Sequence, residues 1–144
     1  MDPNVVDLGG HSYTKRTRRQ IADQHRNIER FFLTLALAVS GRRKSETRAA
    51  FNRYRTAISD HFALEEQVFF PAIQIADPAR KPEIESLIRS HCRLLDELAQ
   101  MAEQLESLSC EDFSRRLDGF ATMLAIHENK EEELVAATEN VQVA

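Results

Sequence analysis

The chain has little of what most folds use to turn or to cross-link. Its 144 residues include only four glycines, four prolines and two cysteines. Such a low content of turn-forming residues indicates long helices instead of many short strands. The two cysteines, Cys92 and Cys110, do not make a disulfide framework, so we expect a reducing, cytoplasmic compartment.

Long apolar segments and a strong charge of one sign are also missing. No apolar run approaches the roughly 18 residues of a membrane span. The N-terminus has no basic segment followed by an apolar one, so we expect no signal peptide. The net charge of -4 provides no general attraction to nucleic acid or to an anionic membrane, and neither is expected as a partner.

Apolar residues recur at spacings of three and four in four segments, as the buried face of a helix requires. The connections between these segments are short, which makes successive helices antiparallel neighbours. The sequence therefore predicts an all-α, up-down-up-down four-helix bundle over residues 13–144, preceded by a flexible N-terminal arm of residues 1–12. The predicted core positions are Ile21, Ile28, Phe32, Leu35, Val39, Phe51, Tyr54, Ile58, Phe62, Leu64, Val68, Leu87, Ile88, Leu94, Leu95, Leu98, Met101, Leu105, Leu117, Phe120, Met123, Leu124 and Leu134.

Local signals predict where the helices end. Gly41, followed by basic residues, predicts the end of the first helix with a left-handed backbone. Ser45 and Ser109 are the expected caps of the second and fourth helices. Pro71 lacks an N–H group, so the second helix is expected to kink or break at Phe70.

Four histidines recur at intervals of 36, 30 and 36 residues: His25, His61, His91 and His127. The midpoints between successive histidines are positions 43, 76 and 109, which all fall in the predicted turns. Residues equally far from the turn of an antiparallel helix pair lie at the same height. The four histidines are therefore expected in one layer, and their apolar neighbours at helical spacing place them on the core-facing side.

Two glutamates follow the second and fourth histidines by four residues, so Glu65 and Glu131 share the inward face. The second half of the pattern repeats the first at an offset of 66 residues. Buried carboxylates are costly without a partner, and a cation is the simplest compensation. The sequence predicts a metal centre built from His25, His61, Glu65, His91, His127 and Glu131.

The donor types suggest which metal centre this is. Imidazole suits iron, zinc, copper and nickel, whereas structural zinc sites are mostly rich in cysteine. Four histidines and two glutamates suit two ions, each with two histidines and a share of two bridging carboxylates. Coordination positions then remain for a small molecule. Ferritin-like centres are excluded because their Glu-x-x-His motif is absent.

The sequence resembles the hemerythrin-like family, also called the HHE cation-binding domain. The resemblance covers residues 17–137 and rests on the single His25, the segment HFALEEQVFFP from His61, the single His91, and the segment HENKEEEL from His127. It implies a left-turning bundle with an oxo- or hydroxo-bridged pair of iron ions. The four histidines would be terminal ligands, with Glu65 and Glu131 as the bridges.

The chain departs from the oxygen carriers of that family. They have a second histidine four residues after the one on the third helix, where this chain has Leu95. Their last carboxylate is an aspartate five residues after the final histidine, whereas this chain has Glu131 at four and Glu132 at five. Glu29 is either a seventh ligand or the partner of a nearby arginine, and the latter is favoured. Glu66 and Glu132 are expected beside the ligands or on the surface.

Four functions fit these observations. The first is a di-iron protein that binds, senses or scavenges dioxygen, nitric oxide or peroxide, with no catalytic residue. The second is an iron-donating or peroxide-reducing repair protein. The third is an iron-dependent regulatory module with an unidentified protein partner, supported by the basic residues 15–19 and by the arm. The fourth is a metal-free structural bundle.

Overall fold

Helices account for nearly all of the computed structural model, which describes residues 11–143 and the side chains of residues 15–138. The α-helices are α1 (His11–Ser40), α2 (Lys44–Leu64), α3 (Phe70–Ala76), α4 (Lys81–Gln104) and α5 (Cys110–Val143). A π-helical turn, Glu65–Phe69, joins α2 directly to α3, and a 3-10 turn, Pro78–Arg80, precedes α4. Within residues 11–143 there is no strand, so the predicted all-α four-helix bundle is confirmed, with α2 and α3 forming one rod.

The helix ends differ slightly from the predicted ones. α1 begins at His11, two residues before the predicted start, and the remaining arm residues, 1–10, lie outside the described residues. The last helix, α5, runs from Cys110 to Val143. No helix in residues 11–143 is long and apolar enough to cross a membrane.

The turn between α1 and α2 lies at the predicted place, but its chemistry differs from the prediction. The left-handed residue is Arg42, with a φ of 57°, and not Gly41. The N–H of Arg43 bonds to the carbonyl of Ala38 at 3.1 Å, and that of Arg42 bonds to the carbonyl of Val39 at 3.0 Å. This hydrogen-bond pair closes the helix end and places the left-handed residue one position after the glycine.

The predicted cap of α5 is present, whereas the predicted cap of α2 is not. Ser45 lies inside the first turn of α2, whose N-cap residue is Arg43 and has no side-chain hydrogen bond, so the predicted Ser45 cap is wrong. At α5 the Ser109 hydroxyl accepts a hydrogen bond from the N–H of Asp112 at 3.0 Å, which confirms the predicted cap. The α4–α5 turn is thereby held at position 109, as the histidine spacing requires.

Of the kink or break predicted from Pro71, the break does not occur: the α-helix is interrupted at Glu65–Phe69, but the chain stays helical through Phe70. The π-helical turn accommodates the proline, because the N–H of Phe70 bonds to the carbonyl of Glu65 five residues earlier. Widening the helix by one residue lets the chain pass a proline, which cannot donate, and lets α3 continue to Ala76. The extra residue also turns Phe69 and Phe70 into the core, where both are buried.

The apolar core consists of two clusters at different heights along the bundle. One contains Ile28, Leu35, Ile58, Leu98 and Leu117, among others. The other includes Ile21, Phe70, Ile84, Leu87 and Leu134. The histidine positions fall between these two groups on α1, α4 and α5, and on α2 His61 lies beside Phe62 at the edge of the first group, so a polar layer separates two apolar ones.

The predicted core positions are mostly buried, with one clear error. Met123 is 41% exposed, since Phe120 and Leu124 occupy the buried face of α5 and leave the residue between them about 100° away. Leu64 and Val68 are only half-buried, because the π-helical turn shifts the inward face to Phe69.

Candidate metal centre

The four histidines meet in one layer at mid-height of the bundle. The Nε2 atoms of His25 and His61 lie 2.9 Å apart, and the ring centres of His91 and His127 lie 4.6 Å apart. Three of the rings are buried, as predicted, whereas His25 is only half-buried. His25 thus faces the cluster, as expected, but lies at the edge of the core, where it borders an opening between α1 and α5.

The two predicted glutamates lie between the histidine pairs. Oε1 of Glu65 is 3.0 Å from Nε2 of His91 and 3.5 Å from Nε2 of His61. Oε1 of Glu131 contacts Nε2 of His127 and lies 3.6 Å from Nε2 of His91. Each carboxylate thus reaches histidines of more than one helix, as a bridging group must.

These side chains form two overlapping groups of possible metal ligands. One group is His25, His61, Glu65 and Glu131; the other is Glu65, His91, His127 and Glu131. Within each group the ligand atoms lie within 4.8 Å of one another. Both carboxylates belong to both groups, whereas each histidine belongs to one. The structure therefore brings together all six predicted residues, in two groups that share both carboxylates.

The polar atoms of this cluster are a good fit to cations. Among the described side chains, five buried cluster atoms have no hydrogen-bond partner: Glu65 Oε1, Glu65 Oε2, His91 Nε2, His127 Nε2 and Glu131 Oε1. Leaving a buried polar atom unsatisfied costs about 1–3 kcal/mol, and more for a charged group. Cations bound at the cluster would satisfy these atoms, which are the atoms that ligate metals.

The outer nitrogens of three histidines are held by hydrogen bonds. Nδ1 of His61 lies 2.8 Å from Oε1 of Gln24, and Nδ1 of His91 lies 2.7 Å from Oε2 of Glu66. Nδ1 of His127 lies 2.8 Å from the hydroxyl oxygen of Ser90. A proton on Nδ1 leaves the lone pair of Nε2 facing the cluster, which is the tautomer that binds metal. The expectation that Glu66 lies beside the ligands is met.

Gln24 and Ser90 were missed by the sequence reasoning, although a signal for both was present. They immediately precede His25 and His91, so they are equivalent at the same offset of 66 residues. Gln24 contacts His61 on α2, and Ser90 contacts His127 on α5. In each case the histidine lies 37 positions further along the chain. The internal repeat therefore includes the hydrogen bonds that orient the histidines as well as the cluster residues themselves.

Burial and mutual contact set the protonation of the cluster without metal. Burial lowers the pKa of His25, and burial and the neighbouring His25 lower the pKa of His61 to about 3. Burial raises the pKa of Glu65 well above its usual value, as does contact with Glu131. Burial also acts to raise the pKa of Glu131, but its close contacts with Glu65, His127 and His91 outweigh burial and lower that pKa. Without metal, the protonated form of Glu65 is therefore more favoured than that of a glutamate in water.

Two cavities lie along the seam between α1 and α5, on either side of the histidine layer. One, of about 280 Å³, is lined in part by His25, Glu131 and Glu132 and so reaches the cluster. The other, of about 340 Å³, is lined by Glu29, Glu128 and apolar side chains and contains no cluster residue. Burial and the charge of Glu131 raise the pKa of Glu128 to about 7.

Several other predicted residues lie away from the cluster. Glu29 is exposed and belongs to neither ligand group. It makes no ion pair with any arginine among the described side chains, so the favoured arginine pairing is wrong.

Leu95 packs against the apolar core. Cys92 is exposed and Cys110 is half-buried, and both are free thiols, as expected. The basic residues 15–19 are at least partly exposed, apart from the buried Thr17.

Comparison with known proteins gives one match. The family model described as the Hemerythrin HHE cation binding domain matches residues 17–138. No curated protein and no solved structure matches the chain.

Proposed function

The chain belongs to the hemerythrin HHE cation-binding domain family, and on that premise we propose that it holds two iron ions and binds dioxygen, nitric oxide or peroxide. Family membership and the histidine–glutamate cluster make it a metal-binding protein. The observation that carries the proposal is the pair of four-residue groups that share Glu65 and Glu131.

The donor set favours iron over structural zinc. Each ion would be held by two imidazoles and two shared carboxylates, with no thiolate, whereas structural zinc sites are mostly cysteine-rich tetrahedra. His25 and His61 would hold one ion, and His91 and His127 would hold the other. The bound iron pair supplies one-electron redox chemistry and coordination positions that protein side chains do not fill.

The protein's own residues prepare the site for this role. Gln24, Glu66 and Ser90 hold the outer nitrogens of three histidines, so the inner nitrogens stay unprotonated. Phe62 stacks on His91 with ring centres 3.9 Å apart and lies near His127, which excludes water from that side. On the other side, the cavity beside His25 is wide enough for a small molecule.

Metal analysis together with absorption spectra tests the proposal. Protein from iron-replete cells should contain about two irons per chain, as two ligand groups require. Its spectrum should differ between air, an oxygen-free solution and a solution with nitric oxide. Iron-free protein from such cells, or a spectrum unchanged by all three conditions, would contradict the proposal.

The alternatives predict different measurements. A peroxide-reducing protein would consume added peroxide over many cycles, whereas a sensor or carrier would react about once per centre. An iron donor would pass its iron to an iron–sulfur protein lacking iron. A regulatory module would capture a protein partner in an iron-dependent way, and a metal-free structural bundle would keep its stability after His61→Ala.

A further inference from the structure

The metal centre has two halves, one with His25 and His61 and the other with His91 and His127. These halves are sequence repeats, but they are not equally closed to solvent. On the side of α3 and α4, His91 lies between two aromatic rings. The ring centre of Phe62 is 3.9 Å from that of His91, and the ring centre of Phe70 is 5.7 Å from it. Both phenylalanines are buried, and Glu66 occupies the outer nitrogen of His91. No open path to this half is visible among these contacts.

The equivalent side of the other half is lined by smaller residues. At the offset of 66 residues, Val135 and Ala136 are the equivalents of Phe69 and Phe70. Ala22 is likewise the equivalent of Ile88. These smaller side chains line the cavity of about 280 Å³ beside His25, together with Phe69, and leave space that their larger equivalents would occupy.

Two carboxylates line this opening at different depths. Glu132 is exposed and makes no hydrogen bond or ion pair with any of the described side chains. Glu131 is only 3% exposed, and its Oε1 has no hydrogen-bond partner. Arg18 also lines the cavity, so two carboxylates face one guanidinium. A cation moving inward would meet an exposed carboxylate first, and then a buried carboxylate of the cluster with His25.

We propose that this cavity is the route by which metal ions enter the centre, and that Glu132 captures them at its mouth. The inference rests on the proposed function, since it concerns how the same centre is filled. The first ion must pass the position of His25 and His61 to reach the closed half. Glu132 acts on the rate of entry and is not one of the six ligands.

The second cavity on the α1–α5 seam provides a matched comparison. It is similar in volume and is lined by Glu29 and Glu128, but no cluster residue lines it. Ala136 lines the first cavity and Ala125 lines the second, and both are exposed. A leucine at either position adds the same volume to the same kind of helix surface.

The experiment measures how fast metal-free protein takes up aqueous Fe²⁺ without oxygen, with a chelator stopping the reaction at set times. Glu132→Gln should lower the second-order uptake rate constant at least about threefold, because one attracting charge is lost. Ala136→Leu should lower it about tenfold. Glu133→Gln, which removes the same charge from the neighbouring exposed position, and Ala125→Leu should leave it unchanged. Final iron content should be the same in all four variants.

The outcomes separate this inference from the function on which it rests. Parent protein that takes up no iron would overturn both. Parent protein that fills normally, with Glu132→Gln and Ala136→Leu filling at the same rate, would overturn the route alone. Equal slowing by Glu133→Gln would assign the effect to general surface charge. A lower final iron content in Glu132→Gln would make this residue a ligand and would contradict the capture role.

Discussion

The Nε2 atoms of His25 and His61 lie 2.9 Å apart in the layer that divides the apolar core. Two unprotonated nitrogens would repel at this distance, because both direct a lone pair into the same space. Two nitrogens at right angles on one metal ion, each about 2.1 Å from it, are separated by about 3.0 Å. In the metal-free cluster one nitrogen therefore carries a proton and donates a hydrogen bond to the other, and the same spacing suits neighbouring donors on one ion.

Removing a histidine should cost one ion, and removing a shared carboxylate should cost both. His25 belongs to one ligand group, whereas Glu65 belongs to both. We expect His25→Ala to lower the iron content from about two to about one per chain, and Glu65→Ala to lower it to near zero. Elemental analysis of purified variants measures this. Glu65→Ala protein that retains a full ion would show that the carboxylate is not shared.

The residues that hold the outer nitrogens should affect metal affinity without being ligands. Gln24→Leu and Ser90→Ala each leave the Nδ1 proton of a histidine without its partner. We expect each to weaken metal binding about 10- to 100-fold, as measured by competition with a chelator. Gln20→Leu and Ser86→Ala change exposed positions one turn earlier and serve as controls. Equal weakening by a control would refute a role through the histidines.

Metal binding should release a proton and tighten as pH rises. Burial and contact with Glu131 raise the pKa of Glu65, so its protonated form is favoured in the metal-free cluster. A bridging carboxylate is ionised, so the metal-free state binds more protons than the loaded one. Titration calorimetry in buffers of different ionisation enthalpy counts the protons released. Affinity that does not change with pH above the usual glutamate pKa of 4.5, with no proton release, would contradict the raised pKa of Glu65.

The metal-free protein should lose stability as pH falls from about 6.5 towards 3. Burial, together with His25, lowers the pKa of His61 to about 3 in the folded state, whereas the unfolded value is 6.5. Between these values the unfolded chain binds a proton that the folded chain does not, so acid favours unfolding. The loss attributable to His61 should reach up to about 4 kcal/mol. Urea unfolding across this range measures it.

The control for the acid effect is a variant without the imidazole. His61→Leu should reduce the dependence of the unfolding free energy on pH between 6.5 and 3, while the dependence due to other groups remains. If the parent and the variant lose stability in parallel over that range, the lowered pKa of His61 does not govern acid unfolding.

Much of the fold was contained in the sequence. The apolar spacing predicted four helices, and the histidine midpoints at positions 43, 76 and 109 agreed with the observed turns. These predictions worked because helix periodicity and turn chemistry are local properties of the chain. The gathering of Glu65 and Glu131 with the four histidines also followed, since a residue's height in an antiparallel bundle depends only on its distance from the turn. Their role as ligands stays a prediction.

Other features depended on which side chains meet across helices, and only the tertiary structure decided them. Pro71 predicted a kink or a break, and only the tertiary structure shows that the chain stays helical there through a π-helical turn, with Phe69 and Phe70 buried in the core. His25 follows the same spacing rule as the other histidines, yet it is half-exposed because small residues on α5 face it. The sequence by itself determined the layer and the residues in it. The tertiary structure decided which half of that layer is open, because closure depends on side-chain volumes contributed by neighbouring helices.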